Sequence, residues 1–480
     1  MYCGFDPNGT YCTYGQEFSE SQLVEMKFVA ITCGPRPFRH PSPKKKKKKK
    51  KKISLAHSLI SLAISQIVIM FQQMNNNLDG HRLNEKLALE IQDESDSNPV
   101  VNAAEWAFKK TNITQINEKG VSIAARQILR KLKAESYTPR TWRTHSLHLL
   151  PVEPYIAAHP SNKAVLNWIF LISALNFSFW SSREGHPDRY AVEWQAGWNE
   201  PTTNRTLWTG YWSLVAALNR ALQDDDIPIT DPYFYSSETL CPDSLIAHVF
   251  RPAKQCSETI PLLQERINIM RESFGGSYQG LLEEFQRRFN GQGTALDLVK
   301  MVTDTFPSFR DETFYEGNKI CFWKRAQILV AETWAAFYPD PKLTNTHPLF
   351  PGARGPAIQD LTMFADYRVP QILHHLKILE YPPTLIHKLR AGTTLIPGSK
   401  EEISLRAGSI VAVERVREAI MKLMEDAKGN DTEYAGIISS VVIDFFLWDL
   451  AKKLERGEDR IDILETADII PAHRTRSIWY

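Results

Sequence analysis

Between residues 100 and 456, apolar side chains return every three or four positions, and two-residue alternation is scarce. This period is the strongest constraint on the fold. It gathers apolar side chains on one face of a helix but would scatter them over both faces of a strand. Helical patterns cover 100–107, 121–132, 167–174, 211–222, 257–274, 278–289, 295–306, 323–337, 370–379, 383–391, 399–427 and 434–456. Asn98-Pro99 opens the first as a cap followed by a first-turn proline. Residues 406–413 could interrupt their helix with a short extended piece. No internal repeat is present. With 43% hydrophobic residues in 480, the chain can bury a large core. The expectation is an all-α or mainly α single domain over 98–480, with minor β elements.

Residues 1–97 read differently. Lys44 begins a run of nine lysines, followed by a mostly apolar stretch at 53–71 containing His57 and several serines. A basic region before an apolar one is the pattern of a signal anchor, here near the lower length limit for a span. Residues 75–97 are polar and rich in Asn, Asp and Glu, as linkers are. The expectation is an unstructured extension or an error in the coding sequence, since a run of one nucleotide translates to polylysine. A membrane anchor at 53–71 is the alternative.

The net charge of +2 includes those nine lysines, so everything else carries −7. Such a body is a poor general binder of polyanionic nucleic acid, which favours a small substrate. Six cysteines show neither CxxC nor zinc spacing, and Cys241, Cys256 and Cys321 read as reduced thiols of a cytoplasmic protein. GxGxxG, Walker, HExxH and GxSxG motifs are absent, which removes the usual support for nucleotide-cofactor, metalloprotease and serine-hydrolase chemistry.

Several residues look costly to bury. Asp444 interrupts the apolar run from Val441 to Trp448. A lone carboxylate there is expensive unless paired or functional. Ser440 and Trp448 lie one turn either side, and the small serine would leave room for approach. Pairing with a buried arginine is the competing reading. Asp449 lies roughly 140° further round the helix, so the two acids do not stack on one face. In Phe364-Ala365-Asp366-Tyr367-Arg368-Val369-Pro370, Asp366 and Arg368 would lie in a loop entering a helix at Pro370, as capping acid and surface cation or as site residues. Lys324 and Arg325 beside Phe322 and Trp323 form a solvated face or hold a phosphate. The aromatics of 176–180 and 208–212 form a core or a base-stacking wall. His145 and His148 have no diagnostic spacing.

The motifs NFSFWS (176–181), TGYWSLVAALNRAL (209–222), FPSFRDETFYEG (306–317), FWKRAQILVAETW (322–334), TMFADYRVPQIL (362–373), DFFLWDLA (444–451) and HRTRSIWY (473–480) stand in one order along the chain. In that combination the sequence from about 98 to its end resembles the queuosine salvage family. Residues 186–204 and 340–355 look like insertions. The resemblance implies a helical fold akin to helix-hairpin-helix DNA glycosylases, without their duplex-binding role. It implies hydrolysis of queuosine 5′-phosphate to queuine and ribose 5-phosphate, with no cofactor and no metal; the alternatives are a nucleic-acid base glycosylase and a non-enzymatic helical binding protein. The expected partner is a small nucleotide. Stable nucleic-acid binding is not expected, nor is a membrane unless 53–71 is an anchor. The resemblance makes Asp444 the catalytic acid and Phe364, Ala365, Asp366, Asp449 and His148 queuine-pocket residues, with His145 as the alternative histidine.

The implied chemistry suits these residue types. Breaking an N-glycosidic bond builds positive charge on the sugar, which an ionised carboxylate beneath the anomeric carbon stabilises or attacks. Queuine is a 7-deazaguanine, so protonation at N7 is unavailable. Its guanine-like edge presents two donors that one carboxylate can accept, a role suited to Asp366 with Phe364 against the ring. Asp449 would meet the amine or diol of the side group. Lys324, Arg325 or Arg368 would hold the 5′-phosphate.

Overall fold

A computed structural model describes residues 11–13, 16–18, 98–272, 277–352, 355–426, 436–457 and 466–480. The chain divides into two compact units, Met1–Gln92 and Asp93–Tyr480. In the first, β1 (Tyr11–Thr13) pairs antiparallel with β2 (Gln16–Phe18). The lysine run and the apolar stretch at 53–71 lie outside the described residues. Among the described residues, no helix is long and apolar enough to cross a membrane.

The second unit is mainly helical. It begins with α1 (Pro99–Thr111), where the Asn98 side chain accepts from Val100 N at 2.9 Å and Pro99 occupies the first turn. Then come α2 (Glu118–Ala134), α3 (Pro160–Ala174), α4 (Tyr211–Gln223), α5 (Pro232–Tyr235), α6 (Asp243–Val249), α7 (Leu263–Arg271), α8 (Tyr278–Arg288) and α9 (Ala295–Thr305). They are followed by α10 (Lys324–Ala336), α11 (Arg368–His375), α12 (Pro383–Arg390), α13 (Lys400–Asp426) and α14 (Ser440–Glu455). Strands β3 (Gln115–Ile116), β4 (Val192–Gln195), β5 (Arg205–Trp208), β6 (Glu312–Tyr315), β7 (Asn318–Cys321) and β8 (Leu379–Glu380) form three antiparallel pairs, β3 with β8, β4 with β5 and β6 with β7.

Three local expectations are corrected. Residues 406–413 do not interrupt their helix: α13 is continuous, because its mid-helix polar groups find partners inside the core. Gly408 lets the chain at Thr114 approach, since a Cβ there would lie 2.6 Å from Thr114 Oγ1. The pattern at 257–274 yields a helix only from Leu263, because Pro261 removes a donor from the preceding turn. Finally, α11 starts at Arg368 rather than Pro370.

The site is positioned by α10. Every one of its residues is buried, with α3 and α9 packed on it. A helix buried all round must find a partner for each polar group it carries. Lys324, Arg325, Gln327 and Glu332 therefore reach inward to other elements instead of forming the solvated face that sequence allowed.

Candidate active site

The 3₁₀ turn Pro139–Thr144, α4, α10, α11 and α14 enclose a cavity of about 400 Å³, within the range of small-molecule sites. Asp444 lines it from the second turn of α14, whose N-terminus is capped by Ser439 accepting from Val442 N. The carboxylate is only 4% exposed, and its Oδ1 accepts from the backbone N–H of Phe364 at 2.9 Å. Asp444 is not paired with a buried arginine: Arg406 pairs with Asp311 instead. Burial, then the nearby charge of Asp366, raises the Asp444 carboxyl well above the usual carboxylate range, while the Phe364 N–H and Lys324 oppose the shift. Of its helix neighbours, Trp448 lines the cavity. Ser440 does not; its Oγ donates to Glu414 at 2.6 Å.

Asp366 does two things at once. Its Oδ1 accepts from Arg368 N and Val369 N, both at 2.8 Å, so it caps α11, and it also lines the cavity. Burial raises its carboxyl and the Lys324 ammonium opposes that. Phe364 lines the cavity next to it, whereas Ala365 is fully buried behind, with its carbonyl accepting from Arg406 Nε at 3.0 Å. Asp449 faces the same cavity from further along α14 and accepts from Tyr137 OH at 2.7 Å. The 140° between the two acids of α14 separates their faces, yet the cavity is broad enough to meet both.

The cations divide. Lys324 lines the cavity while donating to Asn176 O at 3.0 Å, and burial pulls its ammonium down to about 8. Arg325 is fully buried and donates to the carbonyls of Ala174 and Ser308, so it has no access to a phosphate in the cavity. Arg368 and Lys452 both line the cavity, and both pair with Glu455, Lys452 at 2.9 Å.

The opposite wall is aromatic. His145 stacks on Trp212 with centroids 3.5 Å apart and 3° between planes. His148 stacks on Trp142 at 3.8 Å, with Nδ1 2.6 Å from the Trp142 carbonyl. Burial pushes the His148 imidazole down to about 3, with the His145 charge adding to this, and burial pushes His145 down to about 4, so both are neutral rings at pH 7. Both histidines line the cavity, so the structure presents the pair where sequence left a choice. Trp448 closes the edge against Trp212 at 5.7 Å.

Sequence reasoning overlooked Glu332. It lines the cavity from the third turn of α10, accepting from Ser173 Oγ at 3.1 Å and Tyr211 OH at 3.3 Å. Burial pushes its carboxyl up to about 7. The signal was the same as for Asp444, a single acid in the apolar run Ile328 to Trp334. Tyr137, Lys452 and Tyr480 were also overlooked as lining residues. They come from three distant segments, and no local pattern joins them.

The family model of the queuosine salvage protein matches residues 156–480. The chain belongs to the queuosine salvage family. A Schizosaccharomyces pombe relative, named queuosine 5′-phosphate N-glycosylase/hydrolase, is 37% identical over 395 residues, 79% of this chain and 99% of the relative. Relatives of the same name from Mus musculus and Sphaerobacter thermophilus are each 34% identical, covering 79% and 74% of this chain and 97% and 91% of their own lengths.

In this member of the queuosine salvage family, the two insertion-like segments part company. Residues 186–204 reach the rim, where Ser146 Oγ donates to Ala196 O at 2.6 Å and Trp198 N donates to Ser146 O. The segment from 340 instead helps to line a second cavity of about 500 Å³, with Trp334, His347 and Phe350.

Proposed function

We propose that this chain hydrolyses the N-glycosidic bond of queuosine 5′-phosphate, releasing queuine and ribose 5-phosphate for queuine salvage in tRNA modification. The observation that carries this reading is Asp444, buried at the cavity wall and bonded to the protein through one backbone N–H, in a chain similar over nearly their whole length to relatives named for this reaction. We take residues 98–480 as the catalytic unit, with a helical arrangement akin to helix-hairpin-helix DNA glycosylases, and 1–97 as an extension or coding artefact.

The roles follow from chemistry. Asp444 faces the anomeric carbon and, once ionised, stabilises or attacks the oxocarbenium-like centre. In the free protein its charge is disfavoured, so binding of a cationic substrate helps to ionise it. Asp366 Oδ1 is held by two backbone donors, which orients the carboxylate and leaves Oδ2 for the paired donors of the guanine-like edge. Phe364 packs on the ring. Asp449 and the neutral His148 meet the side group. Arg368, with Lys452 beside it, takes the 5′-phosphate in exchange for Glu455, and Lys324 supplies a positive charge deeper in the cavity. No cofactor or metal enters this scheme. Net charge of −7 outside the lysine run supports a free nucleotide rather than nucleic acid as substrate. The free Cys241, Cys256 and Cys321 support a cytoplasmic setting.

Incubation with queuosine 5′-phosphate, beside intact queuosine-containing tRNA, tests the reading by chromatography of released queuine. Release from the nucleotide is expected. No release, or release from tRNA alone, rejects it.

A further inference from the structure

We propose that Arg406 and Asp311 are positioning residues: their buried ion pair sets the wall segment Phe364-Ala365-Asp366 and the start of α10 relative to each other. The inference rests on the functional reading above and goes beyond it, because neither residue lines the cavity.

All three nitrogens of one guanidinium are engaged. Arg406, on α13, places NH1 3.0 Å from Asp311 Oδ1 and NH2 on Asp311 Oδ2, a two-pronged pairing. Its Nε donates to the Ala365 carbonyl at 3.0 Å. The guanidinium lies 4.0 Å from the Phe322 ring centroid and 4.3 Å from that of Tyr480, so aromatic contacts hold it as well. Glu402, one turn earlier on α13, lies 3.6 Å away. Asp311 carries the connection onward. Its Oδ2 accepts from Lys324 N at 3.2 Å, and its carbonyl accepts from Phe322 N at 2.9 Å. One end of the pair therefore fixes the residue between Phe364 and Asp366. The other fixes the first residue of α10, whose ammonium lines the cavity and acts on both Asp366 and Asp444.

Stability alone does not require this arrangement, since a well-packed apolar group of similar volume is often as stable as a buried ion pair. What an apolar group lacks is direction. It cannot hold a carbonyl and a carboxylate in one plane at once. Lysine cannot either, because its single ammonium has no planar fork.

The full chain with Arg406→Lys is to be compared with the parent in three ways: the Kd of free queuine by tryptophan fluorescence, KM and kcat with queuosine 5′-phosphate, and a crystal structure. A purely structural role lowers the folded fraction, hence apparent kcat, and leaves the Kd of folded molecules unchanged. A positioning role raises Kd and KM by about tenfold or more in protein whose circular dichroism matches the parent, with 364–366 displaced in the crystal. An unchanged Kd with that segment unmoved overturns the proposal. If Arg406→Lys does not fold, Asp311→Asn, which keeps shape and one acceptor, is measured in the same way, and the same two outcomes decide. A parent that releases no queuine sinks the functional reading, while the position of 364–366 in the variant crystal still decides the positioning role.

Discussion

The backbone N–H of Phe364 donates to Oδ1 of Asp444 at 2.9 Å, tying the segment ahead of α11 to the second turn of α14 by one hydrogen bond. The acid thereby gains a fixed direction with little compensation for its buried charge. On the proposed reading, this arrangement holds the acid ready for a positive centre that arrives from outside the protein.

Asp444→Asn preserves volume and keeps an oxygen to accept from Phe364. Removing the charge is expected to lower kcat on queuosine 5′-phosphate by about 10³-fold or more. The Tm should stay level or rise, because a poorly solvated carboxylate is gone. Steady-state kinetics beside a thermal melt checks both, and near-parent turnover would refute the assigned role.

The pH profile of kcat/KM should be bell-shaped. Its acid limb is expected well above the usual carboxylate range, because burial and then Asp366 raise Asp444 and only its ionised form works. Its alkaline limb is expected as Lys324, drawn down to about 8, loses the charge that helps Asp444 ionise. In Asp366→Asn the like charge is absent, so the acid limb of the residual activity should move to lower pH. A limb that stays in place, or moves upward, contradicts the coupling.

Asp366→Ala removes both functions of that side chain. Loss of the cap on α11 should cost about 1 kcal/mol, a drop of a few degrees in Tm. Loss of the base contact should raise the Kd of queuine by about tenfold or more. Should titration of the folded variant give parental affinity, Asp366 is a capping residue and nothing else.

Glu332 predicts a pH-dependent stability. Burial pushes its carboxyl from 4.5 up to about 7, so between those values the folded chain holds a proton that the unfolded chain has released. Stability therefore falls as pH rises through that window. The contribution, on the order of 3 kcal/mol, is present below the lower value and lost above the upper one. Glu332→Gln does not titrate, so the Tm of the parent minus that of the variant should shrink from pH 4.5 to 7. Parallel melting curves across that range would exclude the assignment.

Arg368→Met and Lys452→Met should each erode the preference for nucleotide over nucleoside. Each lost charge-assisted contact to phosphate is worth about tenfold in kcat/KM. Activity on unphosphorylated queuosine should change little. Equal losses on both substrates would place the phosphate elsewhere.

Most of the helices were legible because a 3.6-residue period needs no tertiary information, and the boundaries of α4, α8, α9, α10 and α12 fall within two residues of the pattern. The start of α11 was not, since Val369-Pro370 marks a local bias and Asp366 overrides it by capping the turn from outside. Arg325 shows the opposite limit. Beside Lys324 it reads as one of two equal cations, and only the carbonyls of Ala174 and Ser308, from other elements, distinguish a buried structural arginine from a cavity lysine.

The sequence by itself determined the mainly helical class, the family and the oddity of an acid within Val441 to Trp448. Each of these is written in the order and period of residues along the chain. Only the tertiary structure decided that Glu332 lines the cavity that holds Asp444, that Lys324 and Arg368 do so while Arg325 does not, and that Arg406 stands behind its wall. The physical reason is that a carboxyl's proton affinity and a cation's reach depend on desolvation and on charges brought near by packing, and residues hundreds of positions apart acquire these only when the core closes around them.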